Sequence, residues 1–168
     1  MKKHFAVVFF IILFLLISGC ATTPNIKFKI NPEIQTTHNQ LFDASIKPFD
    51  LAYVPTPGYC AFILIIINNS DKELEVDWNR TLYVDNGKTN GSFMFEGIVY
   101  KDRNNPKSPD IIFPKSEFSK IIWPSNLVTF EGMYWLHHCM GEGNKGVSLS
   151  IKSDGKEIRE NLILEITS

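Results

Sequence analysis

Apolar and polar residues alternate along most of this chain in short runs with a period of two, and no long segment places apolar residues at i, i+3, i+4 and i+7. In residues 25–30, Ile26, Phe28 and Ile30 share one face and Lys27 and Lys29 the other, as in a half-buried strand. Residues 31–57 lose this regularity and carry Pro32, Pro48, Pro55 and Pro57, which predicts a loop with one short strand or turn. The run Ala61-Phe62-Ile63-Leu64-Ile65-Ile66-Ile67 has the length and β-branched content of a central strand buried on both faces, and Asn68-Asn69-Ser70-Asp71 ends it with turn residues. Strands are predicted over 74–78 and 81–85, a turn at Asp85-Asn86-Gly87, and a strand over 93–100. After a polar, proline-bearing excursion at 101–116, strand character returns over 118–123 and 127–136. Near the C-terminus, Val147, Leu149 and Ile151 alternate with Ser148, Ser150 and Lys152. The chain then turns at Ser153-Asp154-Gly155-Lys156 and runs as a strand to Ile166, the clearest hairpin in the sequence. Seven to nine short strands without crossover helices predict an all-β, antiparallel β-sandwich rather than a closed barrel.

The first twenty residues break the pattern. Lys2 and Lys3 precede an unbroken apolar run over residues 5–17, followed by Ser18, Gly19 and Cys20. Thirteen apolar residues fall short of the ~20 that a helix needs to cross a bilayer, and the layout is that of a secretory signal peptide. Ile17-Ser18-Gly19-Cys20 resembles the lipobox of bacterial lipoproteins, with Ile17 where Leu is usual. The resemblance implies cleavage between Gly19 and Cys20, and a diacylglycerol on Cys20 with an acylated amine, which two chains make a stable anchor. Membrane lipid is then one partner. The organisation it implies is a signal peptide at 1–19, a lipidated tether at 20–24 and a domain at 25–168, facing the periplasm or exterior from a cell membrane or outer membrane. In that family Asp just after the lipidated cysteine can retain a lipoprotein in the inner membrane; this chain has Ala21 there, and for an organism with an outer membrane the resemblance implies that destination.

Composition narrows the rest. A chain of 168 residues, 44% hydrophobic and 12% aromatic, suits one domain with a packed core and excludes a large multidomain enzyme. The net charge of -1 becomes -3 once Lys2 and Lys3 are removed, which argues against nucleic acid as a partner and against electrostatic attraction to anionic lipid as the anchor.

Lipidation of Cys20 leaves Cys60 and Cys139, either bonded across a long loop or present as two free buried thiols. Cys60, Trp78 and Cys139 follow the Cys, Trp, Cys order that immunoglobulin domains show, and the resemblance implies an immunoglobulin-like sandwich. Trp78 lies farther from Cys60 than in that family, and His137 stands where its tyrosine corner needs Tyr.

His137-His138-Cys139 is the most ligand-like triplet in the sequence. On a strand His137 and Cys139 share a face and His138 opposes them, so the alternative of a metal-binding protein or enzyme centred on these residues needs a carboxylate such as Glu131 or Glu142 to converge. No Gly-x-Ser-x-Gly elbow is present, and the run Gly141-Glu142-Gly143-Asn144-Lys145-Gly146 reads as a mobile hairpin loop without a helix to hold phosphate. Asp77-Trp78-Asn79 and Asp102-Arg103-Asn104-Asn105 offer oxygen atoms but lack the glycine and distal glutamate of a calcium loop. No catalytic residue, metal ligand set or cofactor is therefore assigned. Trp123, Tyr134 and Trp135, with Phe93, Phe95 and Tyr100, form a candidate aromatic patch for a protein or glycan partner in the envelope, and the loop at 101–116 a candidate binding edge. The sequence reads as a membrane-anchored binding or structural module.

Overall fold

The computed structural model describes residues 28–50 and 58–168. Among these residues there are thirteen β-strands, and every pairing between them is antiparallel. The strands are β1 (Lys29–Asn31), β2 (Gln35–His38), β3 (Phe42–Phe49), β4 (Ala61–Asn68), β5 (Leu74–Val76), β6 (Leu82–Asp85) and β7 (Lys88–Met94). They continue with β8 (Asp110–Ile112), β9 (Glu117–Pro124), β10 (Val128–Glu131), β11 (Tyr134–His137), β12 (Gly143–Ser153) and β13 (Lys156–Thr167). The all-β, sandwich-like architecture read from the period-two pattern is the one found. No helix among the described residues is long and apolar enough to cross a membrane.

The strands form two layers that share one edge. One layer runs β1-β13-β12-β6-β7 and the other β2-β3-β4-β9; the last residues of β7, Phe93 and Met94, pair with Pro124 and Trp123 of β9, so the sheet curls into a half-barrel. On the opposite side, Thr37 Oγ1 and Asn39 Nδ2 both donate to the carboxylate of Glu160 on β13, tying the outer strand β2 to the other layer. The long strand β12 takes β6 alongside its first half and β5 alongside its second, and β8 extends that edge by pairing with β5. Phe42 and Ile46, with Phe62, Leu64 and Ile66, face Leu149, Ile151, Leu162 and Leu164 across the interior, all essentially inaccessible to water.

The strands outnumber the seven to nine expected, in part because the stretch read as one strand over 127–136 turns at Gly132 into two and the excursion at 101–116 carries β8. Four further local readings change. Residues 42–49 form a full strand, with Phe42, Ala44, Ile46 and Pro48 buried and Lys47 exposed. Pro48 masks this alternation in the sequence, yet it lies past Ile46, where β2 stops and the strand becomes an edge that tolerates a missing N–H. Second, β4 is not buried on both faces: Leu64 and Ile66 face the core, while Ile67 is 41% exposed. Third, β7 starts at Lys88 and ends at Met94, because Gly97 adopts φ +91 and turns the chain away. Fourth, the glycine-rich run opens β12 rather than a loop. Gly146 is required there: a Cβ on it would lie 2.0 Å from the carbonyl oxygen of Leu162.

Candidate functional site

Of the sequence-predicted site residues, Tyr134, Trp135 and His137 stand on one small hairpin, and His138 and Cys139 directly follow it. Val128, Thr129 and Phe130 on β10 and Tyr134, Trp135 and Leu136 on β11 are β-branched, aromatic or bulky, and Gly132 at φ +70 lets the two strands join through Gly132-Met133. These strands form a two-stranded sheet of their own, pairing Val128 with His137 through Glu131 with Tyr134. At its tip Met133 is 93% exposed and Tyr134 60%.

The base of the hairpin is fastened to the sandwich. The His138 amide donates to Leu127 O, the Met140 amide donates to Tyr59 O, and a disulfide joins Cys139 to Cys60, 79 residues away. Gly58 makes room for that join, since a Cβ on it would sit 3.1 Å from the Cβ of Cys139 and its φ is +144. The ring of Phe28, the first described residue, lies 3.6 Å from the same Cβ position. Beside it, Phe28, Ile30, Pro48 and Tyr59 combine with Lys29, Lys47 and Glu33 to line an open depression of about 460 Å³.

His137, His138 and Cys139 do not act together. The Cys139 sulfur is committed to Cys60 and is not a thiolate ligand or nucleophile. The His137 ring sits edge-to-face against Trp123, with centroids 5.2 Å apart, and its Nδ1 is buried without a hydrogen-bond partner, as is Trp123 Nε1. Burial, with a smaller contribution from the His138 charge, holds His137 below the ordinary value of 6.5, so it is neutral near pH 7. His138 is exposed and shares a hydrogen bond of 3.3 Å between its Nε2 and Thr129 Oγ1. Among the described residues no group of three His, Cys, Asp or Glu side chains converges as a metal site would.

The acidic clusters serve the scaffold. Asp77 Oδ1 accepts the Asn79 amide, and its other oxygen meets Lys152 Nζ at 2.7 Å. Burial alone would raise the Asp77 carboxyl, but the hydrogen bond and charge of Lys152, together with the Asn79 and Arg80 amides, outweigh it and the net shift is downward. Asp102 opens a local turn by accepting from Asn105 Nδ2. The loop predicted as a binding edge contributes Asp110, which accepts from Trp78 Nε1 at 2.7 Å and pairs with Lys120. The Lys120 ammonium lies over Phe95 at 4.2 Å, Trp78 at 5.3 Å and Phe118 at 5.6 Å, so an internal cation fills this aromatic cluster.

The aromatic patch expected from sequence divides in the same way. Phe93 is wholly buried, Phe95 and Trp78 pack at 4.8 Å, and Trp123 is half-buried against His137, while Trp135 packs on Phe130 and Tyr134 stands out in solvent. The tip residue Met133 went unnoticed in the sequence; its position immediately after Gly132, between two runs rich in β-branched and aromatic residues, is the signal that marks it. Gly19 and Cys20, the expected cleavage and lipidation residues, lie outside the described residues. No protein-family model matches the chain, and no curated protein matches it.

Proposed function

We propose that this chain is an exported lipoprotein, held at a membrane surface through acylated Cys20, whose β-sandwich domain serves the cell envelope as a binding or structural module rather than an enzyme. The observation that carries the reading is Ile17-Ser18-Gly19-Cys20 directly behind a basic start and a thirteen-residue apolar run. The disulfide between Cys60 and Cys139 supports it, since such bonds persist in oxidising, exported compartments. An exposed hairpin tip on a rigid sandwich is the usual place for a binding element.

The test is metabolic labelling with a radioactive fatty acid, followed by membrane fractionation. The natural protein is expected to carry label and sediment with membranes. Cys20→Ala is expected to lose the label and to accumulate as an unprocessed or soluble precursor. An unlabelled natural protein, or normal labelling and retention of Cys20→Ala, overturns the proposal.

A further inference from the structure

We infer that the β10–β11 hairpin is a membrane-contacting element, whose tip at Met133 and Tyr134 enters the headgroup region of an anionic phospholipid bilayer beside the lipid tether. The inference rests on the lipoprotein reading for the tether and on the structure for the rest.

Geometry supplies the first argument. The Cβ of Cys139 and the ring of Phe28 lie 3.1 and 3.6 Å from where a Cβ on Gly58 would stand, so the start of β1 and the base of the hairpin meet at one end of the sandwich. Cys20 precedes Phe28 by eight residues, which span at most about 27 Å when fully extended. A bilayer holding Cys20 is therefore within that reach of this end of the domain. Each hairpin strand has four residues, so the tip stands roughly 13 Å along the hairpin from its base.

Chemistry supplies the second. The stretch from Gly132 to Leu136 carries no charge, and it presents Met133 at 93% and Tyr134 at 60% exposure. Tyrosine suits the membrane interface because its ring is apolar and its hydroxyl stays wet. Exposed Glu131 on β10 keeps the insertion at headgroup level, short of the hydrocarbon. The neighbouring depression, joined through Tyr59 to the segment that follows the hairpin, carries Lys29 and Lys47, whose ammonium groups suit lipid phosphates, against one carboxylate, Glu33, among its described lining residues. The opposite end offers Phe113, 63% exposed and held near Asn68, without a tether beside it.

The test uses the full-length, processed protein in vesicles of phosphatidylethanolamine and phosphatidylglycerol. With Cys20 acylated and Cys60 bonded to Cys139, Met133→Cys supplies a single thiol for an environment-sensitive fluorophore, and Phe113→Cys supplies the control. The label at 133 is expected to shift to the blue and lose emission when the vesicles contain brominated acyl chains, while the label at 113 does neither. Equal, water-like emission at both positions overturns the inference. So does a label at 133 that is shielded from aqueous iodide yet insensitive to brominated lipid, which assigns the tip to a protein neighbour or a second copy. Acylation is measured on the same preparation: absence of acyl chains defeats the lipoprotein reading, whereas acylated protein with an unquenched tip defeats the hairpin inference alone.

Discussion

Adjacent residues have unrelated roles where β11 ends at His137 and the chain leaves the hairpin for the body of the sandwich. His137, His138 and Cys139 are neighbours in sequence, yet one packs on Trp123, one faces Thr129 and one is bonded to Cys60. Neither the Trp123 contact nor the disulfide is visible in local spacing, since each partner lies on a distant segment. The burial of His137 has a consequence for stability. Its folded pKa lies below the ordinary 6.5, so the unfolded chain takes up the proton first as pH falls. The stabilisation is complete above about pH 6.5 and is lost as pH drops from there through the lower folded value. Urea titrations at a series of pH values are expected to show stability falling on acidification below that point. His137→Gln is expected to flatten this segment of the profile; an unchanged slope rules out His137 as the cause.

Elements were legible where the alternation of side chains and the turn chemistry agreed. The hairpin of β12 and β13 joins at Asp154 and Gly155, with φ +50 and +73, and the β6–β7 turn repeats this at Asn86 and Gly87, with φ +50 and +78. Both turns stand in the sequence as Asp-Gly and Asn-Gly. β3 was hidden by Pro48, because whether a proline is tolerated depends on which edge the neighbouring strand leaves open. Gly146 shows the same limit from the other side: its need for bare backbone arises from Leu162 on β13. Gly146→Ala is expected to destabilise the domain by about 1–3 kcal/mol through forced separation of β12 and β13, measured as a lower denaturation midpoint. A loss below about 0.5 kcal/mol, the range of an ordinary surface change, means the strands part without cost there.

At the scale of the whole molecule, the two layers are held along one edge by β7 and β9 and along the other by side chains from β2 to Glu160. The disulfide adds a covalent clasp between the start of β4 and the segment that leads into β12. Because it closes a loop of 79 residues, it restricts the unfolded chain strongly. Replacing both Cys60 and Cys139 by Ser is expected to cost about 2–5 kcal/mol in unfolding free energy, and reduction of the natural protein is expected to cost a similar amount. If reduction leaves the midpoint unchanged, the clasp is not a stabilising element. The immunoglobulin-like Cys, Trp, Cys order has a different use from its use in that family. Here the cysteines flank strands rather than facing each other from the middle of two sheets, and Trp78 packs on Phe95 and Phe118.

The sequence by itself determined the all-β class, the C-terminal hairpin and the turn at Asp85-Asn86-Gly87, because each is written in residues near one another: a period of two and the Asp-Gly and Asn-Gly turns. Only the tertiary structure decided which apolar face becomes core, where β3 runs, that Cys60 meets Cys139, and that Met133 and Tyr134 stand at the tip of a hairpin whose base meets the start of β1. Those outcomes depend on contacts between segments tens of residues apart, and burial is a property of what packs against a side chain rather than of the side chain itself.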